Sequence, residues 1–363
     1  MKQPYKYIRQ ICQLLFLATC LLIGYEFYLF ATPLEQGAIP MASRPPGVEG
    51  FLPISALVSL KYFLFTGKIN EIHPSALIIF CFALVTALGI KKSFCSWVCP
   101  VGLICEGLHG LRNKLFKRLS IRQIVMPRLL DTIFRAVKYL LLLFFLYTIL
   151  YSMHPAALEQ FIYSAYHIVA DLKMLYFFTK ISSTALAVLI GLTALSLVFP
   201  YFWCRYLCPY GALVGLISFL SPIKVRRNLS TCTSCRQCDR VCPSAIRVSQ
   251  CKTVRSDECF ACGKCVDACP GDDTLGLGLP GQKAVVSPWM VGGFIVLVFL
   301  GGSLLARGTG HWQNQVSHQT YLGAMLETDL LDLKKVEDFD ALVQTLDSRG
   351  KRVLMMKMMQ DKN

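Results

Sequence analysis

Two stretches of the chain repeat one cysteine pattern, CTSCRQCDRVCP at 232–243 and CFACGKCVDACP at 259–270. In each stretch, pairs of residues separate three cysteines, and a fourth cysteine, followed by proline, comes after three more residues. Three closely spaced thiolates can wrap one face of an iron–sulfur cubane, whereas the fourth points away and reaches a neighbouring cubane. The eight cysteines therefore predict two [4Fe–4S] clusters with crossed ligands.

The crossed pattern divides the cysteines into two sets of four. The predicted first set is Cys232, Cys235, Cys238 and Cys269, and the second is Cys259, Cys262, Cys265 and Cys242. Zinc is an alternative, but zinc sites use separated Cys-x2-Cys pairs rather than runs of four. A disulfide framework would require an oxidising compartment, which the predicted topology argues against. We predict a two-cluster ferredoxin domain of the bacterial type at 224–286.

The composition is that of a membrane protein. Of 363 residues, 54% are hydrophobic and 16% are charged, with a mean hydropathy of +0.50, whereas soluble domains have roughly 25% charged residues. A net charge of +15 would suggest nucleic acid as a partner of a soluble protein. Here the basic residues lie in loops beside apolar segments, where membrane topology explains them. We therefore expect a lipid bilayer, and no nucleic acid, among the partners.

About five apolar segments are predicted to cross the membrane as helices. The first lies within 1–31, and the others lie near 75–90, 134–151, 184–202 and 287–306. The first could be a signal peptide, but it is longer than a signal core and lacks a small-residue cleavage site. We expect it to be retained. The predicted fold class is a polytopic α-helical membrane protein with an inserted α+β ferredoxin-like domain.

Positive charges predict how this protein is oriented. Ten Lys and Arg residues lie in 91–138 and eleven in 203–286, against three in 32–71 and two in 152–183. Loops rich in Lys and Arg stay in the cytoplasm. We therefore expect the ferredoxin domain on the cytoplasmic side of a bacterial inner membrane, and the tail at 307–363 outside.

A second cysteine motif, Cys-x3-Cys-Pro-x-Gly, occurs at 95–102 and again at 204–211. Each copy follows a predicted membrane helix, so the region 32–223 reads as a duplication. A parallel repeat has its symmetry axis along the membrane normal, and the two thiol pairs should then meet at the inner surface. Cysteines four apart share one helix face, and we expect the proline to end that helix.

The thiols of Cys95, Cys99, Cys204 and Cys208 are enough to hold a third iron–sulfur centre or one metal ion. Redox-active dithiols and inert buried thiols are the alternatives. The remaining cysteines are expected to pack in apolar surroundings or to lie off the pattern, without a ligand role. They are Cys12, Cys20, Cys81, Cys105 and Cys251.

The order of these motifs resembles the NapH/NosR group of polytopic iron–sulfur proteins. Three stretches carry a closer resemblance to members of this kind, RPPGVEG at 44–50, KKSFC at 91–95 and WCRYLCPYGAL at 203–213. The similarity covers about 40–305. It implies an inner-membrane electron carrier with [4Fe–4S] clusters. Because NapH is the quinol-dehydrogenase subunit that serves periplasmic nitrate reductase, it also implies a quinone as redox partner.

Residues that would handle a quinone or a haem are less evident. His73 and His154 each precede a proline near the outer end of a predicted membrane helix. Each could accept a quinol proton or ligate haem, but we favour interfacial histidines beside a helix break, since neither has an evident partner. Glu26 is the stronger candidate, because a carboxylate inside a bilayer is costly. The other histidines, His109, His167, His311 and His318, receive no role.

We predict a membrane-bound electron-transfer protein that passes electrons between cytoplasmic-side [4Fe–4S] clusters and a quinone or a redox partner protein. It would act as a quinol-dehydrogenase component or an electron-transfer subunit, and the sequence assigns no catalytic residue. One alternative is a copper or iron reductase in metalloprotein assembly, as in the similar CcoG-type proteins. Another is a non-catalytic redox sensor or docking module, which the lack of a recognisable effector or DNA-binding motif makes less attractive.

Overall fold

The computed structural model of the protein describes residues 4–120, 126–280, 286–333, 336 and 338–360. The predicted regions 1–31, 32–223, 224–286 and 307–363 each include a few residues outside this description, whereas the predicted membrane helix at 287–306 does not. Contacts divide the chain into two compact units. The first unit comprises Met1–Ala18, Cys81–Leu146 and Thr184–Gly302, and the second comprises Thr19–Phe80, Tyr147–Ser183 and Ser303–Asn363.

Three helices are long and apolar enough to cross a membrane, within the described residues. They are α1 (Pro4–Glu35), the helical segment Leu129–Ser152, and the segment Pro288–Gly308. The helices Ala170–Thr179 and Ser183–Val198 meet at a bend of 77° and would make a fourth span if they count as one. These elements coincide with four of the predicted spans.

The predicted span near 75–90 corresponds to the helix Pro74–Gly89, which has only 16 residues. At 1.5 Å per residue, such a helix is about 24 Å long, less than the roughly 30 Å of a bilayer core. The chain is thus a helical membrane protein with three or four candidate spans, and the count of five stays a prediction.

The other helices are mostly short. After α1 come α2 (Pro53–Thr66), α3 (Pro74–Gly89), α4 (Ser93–Trp97), α5 (Pro100–Arg118), α6 (Arg128–Leu146), α7 (Pro155–Ile162), α8 (Ala165–Ile168), α9 (Ala170–Thr179), α10 (Ser183–Val198) and α11 (Pro209–Ile217). They are followed by α12 (Gln237–Arg240), α13 (Lys264–Asp267), α14 (Pro288–Val296), α15 (Gly302–Gly308), α16 (His318–Glu327), α17 (Phe339–Thr345) and α18 (Ser348–Gln360). Wider π turns continue α6 through Tyr147–Ser152, join α14 to α15, and form Trp203–Leu207 before α11.

The predicted ferredoxin region contains a two-stranded antiparallel sheet, β1 (Lys224–Arg227) and β2 (Leu275–Gly278). Val225 pairs with Leu277 across it, and both side chains are buried. The short helices α12 and α13 lie between the strands in the chain, one in each cysteine run. The apolar face of the sheet packs in one core with α1 and α14 residues such as Ile8 and Val291.

The tail at 307–363, for which we made no secondary-structure prediction, contains the helices α16, α17 and α18. In the second unit, α16 packs on α18 and α8, and α16 buries Leu322, Met325 and Leu326 completely. Hydrophobic burial of this kind stabilises a helix pair that has little propensity to form alone.

Candidate functional site

The two cysteine runs of the ferredoxin region fold into matching loops. Ser234 and Arg236, on either side of Cys235, have φ of 57° and 58°. Ala261 and Gly263, on either side of Cys262, have φ of 49° and 73°. Left-handed residues alternate with the cysteines, which curls the backbone tightly and turns N–H groups towards the inside of the loop, as in anion-binding backbone nests.

Gly263 is also needed for close packing between the second cysteine loop and helix α1. A Cβ atom at this position would lie 2.3 Å from Cγ of Tyr5, so that only glycine allows the loop to pack against helix α1. The Tyr5 backbone N–H donates to Asp267 Oδ1 (3.3 Å) and its hydroxyl donates to the Val286 carbonyl. The second cysteine loop is thereby fixed to the start of the first membrane helix.

Each loop closes around a separate cavity. Cys232, Cys235 and Cys238 line one cavity together with Cys269 from the other run. Cys259, Cys262 and Cys265 line the other cavity together with Cys242. The structure therefore brings the eight thiols together in the two groups of four that crossed spacing implies.

The two cavities differ in exposure. In the first set Cys235 is exposed and the other three cysteines are half-buried. In the second set Cys259 and Cys265 are buried, and burial raises the pKa of Cys259 to about 11. A thiol in such surroundings keeps its proton unless a metal displaces it, because metal ligation requires the thiolate.

The loop Cys259–Ala261 is hydrogen-bonded along its length to helix α4, which carries Cys95. The Lys92 backbone N–H donates to the Cys259 carbonyl (3.3 Å), Ser96 Oγ donates to the Phe260 carbonyl (2.6 Å), and Trp97 Nε1 donates to the Ala261 carbonyl (3.2 Å). Trp97 and Ser96 are buried. Three consecutive carbonyls are satisfied in this way, so the second cysteine set is held directly beside the Cys-x3-Cys-Pro motif.

The two Cys-x3-Cys-Pro motifs have the same local structure. Cys99 is the N-cap of α5 and Cys208 the N-cap of α11, and each is followed by proline as the first helical residue. Proline suits this position because its missing N–H needs no partner there. The Cys208 thiol also accepts a hydrogen bond from the Gly211 N–H (3.2 Å). Because both cysteines are N-caps, each lies at the positive end of a helix dipole.

This arrangement corrects two sequence-based expectations. The cysteines of a pair do not share one helix face, because Cys95 lies in α4 and Cys204 in the π turn, each separated from its partner by a helix boundary. The proline begins the next helix rather than ending the previous one. The physical reason is the N-cap geometry, in which the cysteine backbone is extended, with ψ of 122° at Cys99 and 105° at Cys208.

The four motif thiols are electrostatically coupled. Burial raises the pKa of Cys208, which the Gly211 N–H and Lys92 oppose, and burial likewise raises the pKa of Cys95, with Lys92 opposing it and the neighbouring Cys99 and Cys208 adding to it. The contact with Cys105 and burial raise the pKa of Cys204, and Cys208 and Cys99 add to the increase. One thiol of each motif lies in the same cluster, because Cys95 packs against the group that contains Cys204.

Lys92 supplies positive charge to this group of thiols. Its side chain is fully buried, and its Nζ makes no hydrogen bond in the described part of the chain. The nearest carboxylate oxygen, Glu258 Oε2, is 3.6 Å away, and Glu258 also binds Lys138, which is fully buried too. A buried ammonium without a hydrogen-bond partner is costly. An anionic thiolate-bound group between the cysteines would compensate it.

A fifth thiol, which the sequence does not single out, belongs to the same group. Cys105 is buried in α5, and its Sγ lies 3.6 Å from Sγ of Cys204. Phe260 and Tyr201 pack with this pair, and Cys95 and Cys262 pack against them. Cys105 therefore packs, as expected, but it also contacts a thiol of the second Cys-x3-Cys-Pro motif.

A resident iron–sulfur group fits these residues. Each of the first two sites has four thiols around a cavity. The third site has the four motif thiols beside the Lys92 ammonium, which has no hydrogen-bond partner among the described residues. Within the described residues, no three His, Cys, Asp and Glu side chains are arranged to hold a single metal ion. The linings of the two cavities do not include the other cysteines. Cys12 packs in the first unit's core, Cys251 contacts the Arg247 carbonyl, and Cys20 and Cys81 are half-buried in helices.

The candidate histidines behave differently from one another. His154 is exposed at the N-cap of α7 and makes no capping bond, which matches the interfacial interpretation. His73 is fully buried and has partners that are distant in sequence. Arg44 Nη2 lies 3.1 Å from its Nδ1, Glu49 Oε1 lies 3.4 Å from the same nitrogen, and its Nε2 donates to the His167 carbonyl (2.7 Å).

His73 is therefore part of a buried ionic network in the second unit. Arg44 bridges Glu49 (2.7 Å) and Asp171 (2.5 Å), and Tyr321 donates to Asp171 (2.7 Å). The two carboxylates are fully buried. The expectation that His73 has no partner is thus wrong, because the network joins residues that only tertiary structure brings together. Glu26, the other candidate, is exposed on the surface of α1.

Comparison with known proteins agrees with this arrangement. A family described as "4Fe-4S binding domain" matches residues 72–118 and 183–228, one match for each Cys-x3-Cys-Pro motif. A "4Fe-4S dicluster domain" matches 224–270, which includes all eight cysteines of the two runs. The "Putative electron transport protein YccM" of Escherichia coli (strain K12) is 40% identical over 319 residues, 86% of this chain and 88% of the relative.

This chain belongs to the YccM family. The "Ferredoxin-type protein NapH" of Escherichia coli (strain K12) is 30% identical over 51% of this chain and 62% of its own length. "Protein NirI" of Paracoccus denitrificans (strain Pd 1222) is 29% identical over 60% of this chain but only 31% of its own length. No solved structure matches the chain.

Membership in the YccM family confirms the resemblance to the NapH-type proteins. The chain carries [4Fe–4S]-binding domains of the ferredoxin type and belongs with iron–sulfur electron-transport proteins. Its apolar helices make it a membrane protein.

Proposed function

We propose that the protein passes electrons between the two crossed ferredoxin clusters and the membrane, through a third centre at the Cys-x3-Cys-Pro thiols. In this proposal Cys232, Cys235, Cys238 and Cys269 hold the first cluster, and Cys259, Cys262, Cys265 and Cys242 hold the second. Each cluster, when bound, supplies a one-electron couple that its hydrogen bonds and solvent exposure tune. The protein residues position the clusters and control their surroundings.

The position of Phe260 carries the proposal. Phe260 lines the cavity of the second cysteine set, and it also packs among Cys95, Cys105 and Cys204. Its loop is fixed to α4 by three hydrogen bonds. In this proposal the second cluster passes electrons between the more exposed first cluster and the motif thiols. This arrangement supports a linear relay from the water-facing side of the ferredoxin region towards the membrane helices.

For the third centre we propose Cys95, Cys99, Cys204 and Cys208 as ligands, with Lys92 and Lys138 compensating negative charge. Two observations support this assignment: the family match at each motif, and the buried Lys92 ammonium that lacks a hydrogen bond. The N-cap position of Cys99 and Cys208 adds the favourable end of two helix dipoles. Replacing Cys95 and Cys204 by serine should lower the iron content by about four per chain and leave the ferredoxin clusters in place.

We propose five membrane helices, with the ferredoxin region on the cytoplasmic side of a bacterial inner membrane and the 307–363 tail outside. The distribution of Lys and Arg supports this orientation. The membrane-side redox partner would be a quinone or a partner protein. The test uses the full-length protein in nanodiscs, with the rate of cluster reduction measured on adding a menaquinol or ubiquinol analogue. Failure of both quinols to exchange electrons with a cluster-loaded protein would contradict the quinone assignment.

A copper reductase is the second candidate, because the tail presents soft ligands. Four methionines of α18, namely Met355, Met356, Met358 and Met359, are 41–71% exposed. Thioethers favour Cu(I), the product of such a reductase. This activity would convert Cu(II) to Cu(I) in nanodiscs that contain no quinone, with electrons supplied at the ferredoxin clusters. An electron carrier of the quinone type would not do so, and a redox sensor would show neither activity.

A further inference from the structure

The first cysteine set opens onto a depression lined by arginine. Arg236 directly follows Cys235 and lines the cavity of that set. It also lines an adjoining depression, together with Arg247. Both arginines and the neighbouring Arg240 are exposed, as is Cys235 itself. The acid in the depression, Asp239, accepts a hydrogen bond from the Ser249 N–H (2.7 Å), which fixes its position and leaves its charge.

The ferredoxin region as a whole carries a net positive charge. Residues 224–286 contain ten Lys and Arg and six Asp and Glu, and three of these acids make contacts within the protein. Asp257 accepts from the Tyr139 hydroxyl, Glu258 binds Lys138, and Asp267 accepts the Lys6 backbone N–H at 2.9 Å. Asp272 and Asp273, which follow Gly271 in the lining of the first cavity, are exposed. The excess of positive charge is therefore local, because Arg236 and Arg247 outnumber Asp239 in the lining of the depression.

The second cysteine set is not available to a soluble partner in the same way. Its loop is covered by α4 and by Tyr5, and Cys259 and Cys265 are buried. Electron transfer slows steeply with distance, so a soluble carrier should exchange electrons where a cluster lies nearest the surface. In this protein that place is the first set.

We propose that the depression lined by Arg236 and Arg247 is the docking surface for an acidic, soluble one-electron carrier. The proposal rests on the proposed cluster ligation by Cys232, Cys235, Cys238 and Cys269. In the docked complex one electron leaves the reduced carrier and enters the cluster site beside Cys235, so that the carrier is oxidised by one electron and no proton or bond is exchanged. Complementary charge accelerates such an encounter, because long-range attraction steers the partners before contact.

Basic residues of cytoplasmic loops also follow from membrane topology alone, and a lipid surface is the competing occupant. Topology requires positive charge in the loop but no particular place for it. Here two exposed arginines line one depression, and Arg236 directly follows the exposed cysteine. That juxtaposition favours a compact acidic partner over a flat lipid surface.

The test uses full-length protein in phosphatidylcholine nanodiscs, with an acidic plant-type [2Fe–2S] ferredoxin as the probe. Association is measured with both proteins oxidised, and the second-order rate of electron transfer is then measured by stopped flow after the probe is reduced. We expect R247E to lower the rate constant roughly tenfold at low ionic strength, and R236E/R247E to lower it further, since steering contributes about 10- to 1000-fold. Rising salt should slow the wild type and leave the double variant nearly unchanged.

Arg255 provides the matched control. It is exposed in the same region, but its carbonyl is held by Lys91 Nζ (3.1 Å) and it does not line the depression. R255E should associate like the wild type. Iron content is measured for every variant, so loss of clusters is seen separately from loss of docking. Because Arg236 adjoins a cysteine ligand, R247E alone keeps the test valid if the double variant loads poorly.

Two results would overturn the proposal. One is equal association of the wild type and a fully loaded R247E at low salt. The other is a variant that keeps its affinity for the ferredoxin but loses cross-linking to a photoactivatable phosphatidylglycerol, which would assign the arginines to the membrane surface. If the wild type itself contains no iron, the proposed function fails, whereas association of the oxidised carrier would still report on the surface.

Discussion

Gly102 and Gly211 occupy equivalent positions in the two Cys-x3-Cys-Pro motifs, yet alanine should have opposite effects at the two sites. A Cβ atom at Gly102 would lie 1.9 Å from the Cys95 carbonyl oxygen, whereas at Gly211 its nearest neighbour, Cys208 Sγ, would be 3.5 Å away. Real Cβ contacts are essentially never closer than 3.0 Å, so G102A must move α4 and α5 apart by at least 1.1 Å (3.0 minus 1.9). G211A needs no movement.

The energies follow from these distances. Overpacking of this size costs about 1–3 kcal/mol, while replacing glycine by alanine in a helix stabilises by about 0.5–1 kcal/mol. G102A should therefore be destabilising by about 1–2 kcal/mol, and G211A should be neutral or slightly stabilising. Because Cys95 and Cys99 flank the displaced backbone, G102A should also weaken ligation at the third centre.

The assay compares the apparent melting temperature and the iron content of both variants in detergent. We expect G102A to melt earlier and to lose up to about four irons per chain, with the ferredoxin clusters retained. G211A should resemble the wild type in both measurements. Equal behaviour of the two variants would refute the geometry of the first motif.

Three further predictions concern the buried charges and the fifth thiol. K92M should lower the midpoint potential of the third centre in a titration followed by paramagnetic resonance, because a positive charge that favours the reduced form is lost; K91M, whose ammonium contacts carbonyls, should not. C105S should keep the full iron content while changing the spectrum of the third centre, and a loss of about four irons would instead make Cys105 a ligand. R44L should cost about 3–5 kcal/mol in thermal or denaturant unfolding, because it leaves two buried carboxylates without their cation. R349L breaks an exposed ion pair, with Arg349 55% exposed, and should cost at most about 1 kcal/mol; equal losses in the two variants would contradict the buried network.

The cysteine runs show what sequence can predict about this protein. Spacing along the chain determines which thiols can share a loop, and the loops around Cys235 and Cys262 indeed have matching left-handed residues. The apolar helices are similarly local features, since length and hydropathy define them. The repeat of Cys-x3-Cys-Pro is also visible in the sequence, and a family match falls on each copy.

Residues that depend on tertiary contacts were not predictable. Cys105 reaches Cys204 only because α5 packs against the π turn before α11. His73 gains its partners from Arg44 and from the carbonyl of His167, which is 94 positions away. The wrong prediction that the two cysteines of each Cys-x3-Cys-Pro motif share a helix face had another cause. Helix periodicity was applied across an N-cap, where the backbone is extended. Proline directly after the second cysteine of each motif is itself a helix-start signal and could have corrected that expectation.

The central claim is that cysteine-bound iron–sulfur clusters in the ferredoxin region and at the motif thiols make this membrane protein an electron relay. The most direct test is the iron and acid-labile sulfide content of protein purified without oxygen, combined with low-temperature paramagnetic resonance after dithionite. We predict about twelve irons and twelve sulfides per chain, falling to about eight of each when Cys95 and Cys204 are replaced by serine. Colourless protein that contains zinc and gives no signal after reduction would contradict the claim.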